Sequence, residues 1–437
     1  MNYFEAIAYL DEHASYDVTG RIESPSLDRI QKLMYAMSDP HTACPWITVT
    51  GTNGKGSTSA MISALVAGTD LAVGGYNSPH IQRINERISR NGRAISDTEF
   101  AEAVREVATI EPLTGVRPSY YDLVTAAAFG FFAQAPIDIG VLEVGVGGRW
   151  DSTNVADASV AVVTNIGMDH MEFLGPTRAH IAAEKAGIIK AESVVVIGET
   201  DEDLWPIFIE QARSVGASDL WKRGVDFDCV GNDLAVGGRL LTISTPAATY
   251  SDIFVPLHGM HQGENAAIAL AAAEAFFGSA MDPEVVNRAF GDVVVPGRFE
   301  IMSRHPLVII DGAHNPAGAA VAAQTLADDF LSGGDLDGEA ILVVGQLVGR
   351  DPDVFLDSLD AQSAKLVVCT EPPSARALSC FDLAAAAKRI GCTVSVEADY
   401  RRAINTAIAT ANPNDAVLIT GSLYLAGAAR TQLYMRN

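Results

Sequence analysis

Ile47 to Thr58 reads ITVTGTNGKGST, a β-branched run that breaks into a glycine-studded turn and then into a helical pattern. Strand, turn and helix in that order predict a loop that cradles phosphate. Gly51, Gly54 and Gly56 let the backbone approach an anion, the N–H groups of the turn and helix start point toward it, and Lys55 adds a full charge. The spacing departs from the Walker A pattern G-x-x-x-x-G-K-[ST]: Val49 stands where the first glycine belongs, and Gly56 delays the hydroxyls to Ser57 and Thr58. A glycine-rich strand-to-helix turn with no ligand would read much the same, so the flanking sequence has to arbitrate.

Downstream, IDIGVLEV (137–144) and VAVVTNI (160–166) are continuous apolar runs between helical patterns, as expected of strands buried on both faces of a parallel sheet. The first ends in Glu143 and the second runs into Gly167-Met168-Asp169-His170. Open α/β sheets bind ligands at the carboxyl ends of their strands, so Glu143 is placed to hold a cation. Tyr76 to Ser96 is rich in polar groups, with Ser78, His80, Arg83, Glu86 and Arg87 as candidates to face a site. A helix over 177–190 carries Glu184 and Lys185, and Asn265 lies in the first turn of an Ala-rich helix within 258–277. Each has an ordinary reading as solvated loop, surface lysine or helix cap.

Residues 200–257 suggest a small antiparallel excursion, and VVVPGRFE (293–300) joins a finished helix to a new series. Strands at 308–311, 341–344, 366–369, 393–396 and 417–420 alternate with helices, which predicts a second parallel sheet. The expected fold is therefore α/β: an N-terminal P-loop-type, mostly parallel sheet domain over 1–296 and a smaller Rossmann-like α/β domain over 297–437. Asp311 to His314 again places polar groups at a strand's carboxyl end.

With 437 residues, 48% of them hydrophobic, the chain has material for more than one core. Lys plus Arg is 30 against 54 for Asp plus Glu, a net charge of −24, which argues against a nucleic-acid surface. No run has the roughly 18 apolar residues of a membrane span, and the first residues carry acids where a secretory leader would carry Lys or Arg. A cytoplasmic protein with no membrane or nucleic-acid partner is expected. Five scattered cysteines without C-x-x-C spacing indicate buried thiols, not a disulfide framework or zinc site.

GTNGKGS, SPHIQRINERI, EVGVGGRWDSTN, the DH of NIGMDH, LGPTRAHIAAEKAGIIK, HGMHQGENAAIAL, PGRFE, DGAHNPAG and GSLYL, in that order, resemble the successive blocks of the folylpolyglutamate synthase and dihydrofolate synthase family, a branch of the Mur ligases. The resemblance implies an ATP- and Mg2+-dependent monomer that phosphorylates the carboxylate of dihydropteroate or a reduced folate and lets the amine of L-glutamate attack the acyl phosphate. By motif, Thr52, Asn53, Gly54, Lys55, Gly56 and Ser57 would cradle the ATP phosphates, and Ser57, Ser78, Glu143 and His170 would hold magnesium. Lys185 matches a lysine that related enzymes carry carboxylated by CO2. Asn265, Arg298, Asp311 and His314 match nucleotide-binding positions, and Lys55, Lys185, His170 and Arg298 would carry the chemistry. Asp28, Arg29 and Ile30, with Asp122 and Arg149 to Asp151, align with segments near the pterin.

The chain departs from the family pattern at three places. Tyr121-Asp122-Leu123-Val124-Thr125 stands for F-E-x-x-T, Val348-Gly349-Arg350-Asp351 for D-K-D, and RIESPS replaces an N-terminal F-G element. Arg keeps the charge of Lys but not its shape. Two other readings compete with a folate ligase. A Mur-type peptidoglycan or cyanophycin ligase is disfavoured because only 50 residues precede Gly51. An ATP-binding module without ligation has no use for Glu143, His170 and Lys185 together.

Overall fold

The structure, a computed structural model, describes residues 1–13, 25–331 and 338–435. Arg21 to Ser24 of the RIESPS departure lie outside them. The chain divides into two compact units: residues 1–232, 240–255 and 263–293 form the first, and residues 233–239, 256–262 and 294–437 the second.

The first unit is built on an eight-stranded sheet of β1 (Trp46–Thr50), β2 (Val73–Tyr76), β3 (Ile88–Arg90), β4 (Arg93–Ala94), β5 (Ile139–Glu143), β6 (Ala158–Val163), β7 (Val194–Ile197) and β8 (Asp219–Lys222). Their order is β4-β3-β2-β5-β1-β6-β7-β8. β2, β5, β1, β6, β7 and β8 run parallel, and only β3 and β4 pair antiparallel at one edge. Parallel register puts the carboxyl ends of β1, β5 and β6 side by side: Val49 pairs with Glu143, and Thr50 with Val163. The strand order switches beside β1, the place where sheets of this kind bind ligands.

Both faces of the sheet are apolar because helices cover both. Trp46, Tyr76 and Leu142 pack with Phe100, Val104, Phe129 and Phe132 of the helices Asp97–Thr114 and Tyr120–Gln134. Val163, Val195 and Ile197 pack with Ile181 and Phe208 of the helices Arg178–Ala186 and Trp205–Val215. Burying one such side chain contributes about 2 kcal/mol, and the shared cores make the sheet stiff. The expected excursion over 200–257 needs correction: it opens with the helix Trp205–Val215 and the parallel strand β8, and only β9 (Asp228–Ala235), β10 (Gly238–Ser244) and β11 (Thr249–Val255) form a separate three-stranded sheet. Pro206 near the helix start and apolar Ile207, Phe208 and Ala212 at helical spacing are the signals of that helix.

The second unit carries a six-stranded sheet of β12 (Glu300–Arg304), β13 (Leu307–Ile310), β14 (Ala340–Val344), β15 (Leu366–Glu371), β16 (Val394–Asp399) and β17 (Ala416–Thr420), in the order β12-β13-β17-β14-β15-β16. All neighbours are parallel except β12 and β13. Among the described residues no helix is long and apolar enough to cross a membrane.

Candidate active site

β1 ends at Thr50, and the turn that follows leads into the helix Lys55–Ala67. Gly54 caps that helix at φ 80°, and a Cβ there would stand 2.4 Å from Asn265 Oδ1, so a side chain is excluded twice over. The turn is stitched to the end of β6. Asn165 accepts from the Thr52 and Asn53 N–H groups at 3.0 Å each, through its carbonyl and its side chain, and Gly167 N–H donates to Thr52 Oγ1 at 2.9 Å.

Two lysines converge on one oxygen of this turn. Lys55 Nζ donates to the Gly51 carbonyl at 2.9 Å and to the Thr52 carbonyl at 3.2 Å, and Lys185 Nζ donates to the same Gly51 carbonyl at 2.8 Å. Lys185 is 3% exposed, so its amine faces this turn and not solvent. Burial, and then the neighbouring Lys55 charge, hold the Lys185 ammonium well below the usual lysine range, with Asp169 and Asp151 pulling the other way. The loop thus offers one lysine to an anion and presses the other toward the neutral amine.

Glu143 closes β5 and is buried, its carboxylate 3.6 Å from where a Cβ on Gly56 would stand. It accepts the Ser78 N–H at 3.1 Å. Ser78 Oγ is buried and makes no well-formed hydrogen bond; the Tyr121 phenol is the polar group that faces it. Buried Ser57 lies one residue beyond Gly56. An acid, an unsatisfied hydroxyl and a second hydroxyl fit a hard divalent cation, which takes oxygen ligands. Among the described residues no three of His, Cys, Asp or Glu are grouped so as to hold a metal ion. His170 follows β6 at φ 51° and is the backbone N-cap residue of the short helix Met171–Leu174. Asn265 is buried beside Gly54, with Thr58 Oγ1 3.5 Å from its Oδ1.

Of the expected acceptor contacts, Ile30, Asp122 and Asp151 are engaged within the fold. Ile30 is fully buried in the helical core and offers no face to a ligand. Asp122 is buried, accepts from Ser119 N–H and Oγ at 2.8 Å each, from Ser152 Oγ at 2.7 Å and from Arg29 Nε at 3.0 Å, and so braces the helix start. Asp151 takes the N–H groups of Gly145, Val146 and Thr153 and the Thr153 and Tyr121 hydroxyls, holding the GVGG turn in shape. Burial raises its pKa despite those bonds. Asp28 and Trp150 are exposed and Arg149 half-buried, so these three remain available.

In the second unit, Asp311 follows β13 and accepts from Phe299 N–H at 3.1 Å and Ala313 N–H at 2.8 Å. Burial raises its carboxyl above the usual range while Arg298 pulls it back. Arg298 Nη1 would lie 3.2 Å from a Cβ on Gly312, and His314 Nδ1 donates to the Gly312 carbonyl at 2.8 Å. Arg350, noted in the sequence only as a departure, donates to the His314 carbonyl. Arg298, Asp311, His314 and Arg350 are therefore one cluster.

Mur ligase family models match both units: the Mur ligase middle domain over residues 49–273 and the Mur ligase glutamate ligase domain over 297–423. The dihydrofolate synthase/folylpolyglutamate synthase of Mycobacterium tuberculosis is 40% identical over 93% of this chain and 90% of its own length. The crystal structure of Mycobacterium tuberculosis folylpolyglutamate synthase complexed with ADP and AMPPCP superposes with a TM-score of 0.91 at 38% identity, covering 99% of this chain and 98% of that one. Escherichia coli FolC in complex with DHPP and ADP gives a TM-score of 0.88 at 28% identity, covering 100% and 98%. The chain belongs to the folylpolyglutamate synthase and dihydrofolate synthase family, and is an ATP-dependent ligase of the Mur type.

Proposed function

We propose that this chain joins L-glutamate to dihydropteroate, to the glutamate tail of a reduced folate, or to both, with ATP as the activating substrate. A carboxylate is a poor electrophile, so its oxygen first attacks the γ-phosphorus and ADP leaves. The glutamate nitrogen then attacks the acyl carbon, phosphate departs, and the amine proton is released. The observation that carries the reading is the pair of lysines on the Gly51 carbonyl beside Glu143 and Ser78. Lys55 neutralises and aligns the phosphates, and the buried oxygens of Ser57, Ser78 and Glu143, with His170, would hold magnesium. Bound there, the ion would offset charge on the transferring phosphoryl group. Asn265, Arg298, Asp311 and His314 are assigned to the nucleotide.

Lys185 is assigned a further part. A neutral amine is the form that adds to CO2, forming an N–C bond and releasing a proton, and the depressed Lys185 pKa favours that form. The carbamate would present an anion on a side chain that otherwise repels magnesium. Residues 1–296 and 297–437 would divide the work, with phosphates, metal and acceptor on the first and amino-acid ligation on the second.

An ADP-release assay tests the whole reading. Release is expected only when L-glutamate and a pteroate or folate acceptor are both present, with product mass increased by one glutamate residue. Acceptor-independent turnover, or none with either acceptor, overturns it.

A further inference from the structure

Beyond β6, Ile166 has no strand neighbour, yet both of its backbone groups are taken by side chains. Its N–H donates to Glu199 Oε2 at 2.7 Å, and its carbonyl accepts from Arg178 Nε at 2.9 Å. Arg178 uses its remaining fork on two acids: Nη2 to Glu199 Oε2 at 3.0 Å and Nη1 to Asp201 Oδ2 at 2.5 Å. Glu199 Oε1 accepts the Asp201 N–H at 2.9 Å, and its own carbonyl takes Trp205 Nε1 at 2.8 Å. One guanidinium thus binds three partners at the ends of β6 and β7, a geometry that a planar fork can satisfy and a point charge cannot.

What is gripped matters. Residues 165–167 are held on their other side by Thr52 and Asn53 of the phosphate loop, and they lead directly into Asp169 and His170. Arg178 also opens the helix Arg178–Ala186, whose last turn carries Lys185 about 10 Å along the axis. The pair is lopsided, Arg178 39% exposed and Glu199 9%, so solvent screens the guanidinium while the carboxylate depends on it for a partner. What its hydrogen bonds fix is position. We infer that Arg178 and Glu199 form a positioning clamp that sets the His170 loop and the Lys185 helix together against the phosphate loop, and so tunes divalent-cation binding.

The inference rests on the proposed metal role of His170, and the test separates the two. Mn2+ is titrated into the full chain in the presence of ADP, and the free-ion EPR signal gives the dissociation constant; glutamate-dependent ADP release is followed in parallel. Arg178→Gln is expected to raise the Mn2+ dissociation constant roughly tenfold, as loss of an orienting partner does at metal sites, with cooperative thermal unfolding retained. Arg178→Lys should fall between the two. His170→Ala is the control. A shifted control with an unshifted, folded Arg178→Gln overturns the clamp. An unshifted control overturns the metal reading of His170 and the clamp with it. Should Arg178→Gln not fold, Glu199→Gln keeps the side chain's shape and removes its charge; a weaker shift in the same direction supports the clamp, and none overturns it.

Discussion

The two sheets end alike and bury opposite charges. At the carboxyl edge of the first, Lys185 is sunk beside another cation, Lys55, and both burial and that neighbour press it toward the neutral amine. At the carboxyl edge of the second, Asp311 is sunk beside a cation of opposite sign, Arg298, so burial and neighbour work against each other. A buried charge with a partner is a brace; one with a like-charged neighbour is a group held in an unfavourable state. The contrast is what supports the proposal of Lys185 as a residue kept for reactivity.

Removing the amine tests this most strongly. Lys185→Met keeps the length of the stem and deletes the buried polar end. Turnover should fall at least about a hundredfold, because the group is lost from the reacting centre, while the first unit gains about 1 kcal/mol, because a disfavoured amine is no longer buried. Calorimetry and ADP release on the same sample decide it. A melting temperature that falls would mean that the Gly51 hydrogen bond outweighs the burial penalty, and the contrast with Asp311 would collapse. In Lys185→Ala, which leaves a void, millimolar acetate or formate should restore part of the rate if the carbamate is the working form. A folded variant that no short carboxylate rescues removes the carbamate.

Much of this site is written plainly in the chain, and the reason is physical. Gly51, Gly54, Gly56 and Lys55 answer to local backbone geometry and charge, and runs such as IDIGVLEV answer to burial on two faces, so both are legible over a short window. Lys185 is different. Its helix is legible, but that its amine turns inward to Gly51, 134 residues away, depends on how the helix packs. Asp122 and Asp151 are engaged in bracing local structure, which sequence alone does not show plainly, because an acid near a site reads the same whether it binds a ligand or holds a turn. A signal was there: Ser119-Tyr120-Tyr121-Asp122 has the spacing of a capping box, and the structure forms one. Ile30 lies next to two polar residues in an aligned segment, yet its helix turns it into the core.

Asp311→Asn probes the opposed case and should be felt mainly as stability. The carboxylate accepts two N–H groups on different oxygens, Phe299 on Oδ2 and Ala313 on Oδ1. A carboxamide offers one oxygen and turns its NH2 on the other donor, leaving a buried N–H without a partner at a cost of about 1–3 kcal/mol. Thermal or urea unfolding of the second unit measures it. A loss no larger than a few tenths of a kcal/mol would make Asp311 a group retained for a ligand and not for the fold.

The last test is in pH, where the two residues should mirror each other. Lys185 has a folded pKa below its unfolded value, so between the two the unfolded chain binds the extra proton, and stability rises with pH across that window. Asp311 has a folded pKa above its unfolded value, so there the folded chain holds the extra proton, and stability falls as pH rises through the window just above the ordinary carboxylate range. Across either window the stability changes by about 1.4 kcal/mol for each pH unit that separates the folded and unfolded values. Unfolding followed from about pH 4 to about pH 9 should therefore lose its alkaline rise in Lys185→Met and its acid-side decline in Asp311→Asn, each variant leaving the other slope intact. Slopes that persist in both variants would assign the pH response to other groups and detach the two burial penalties from these two side chains.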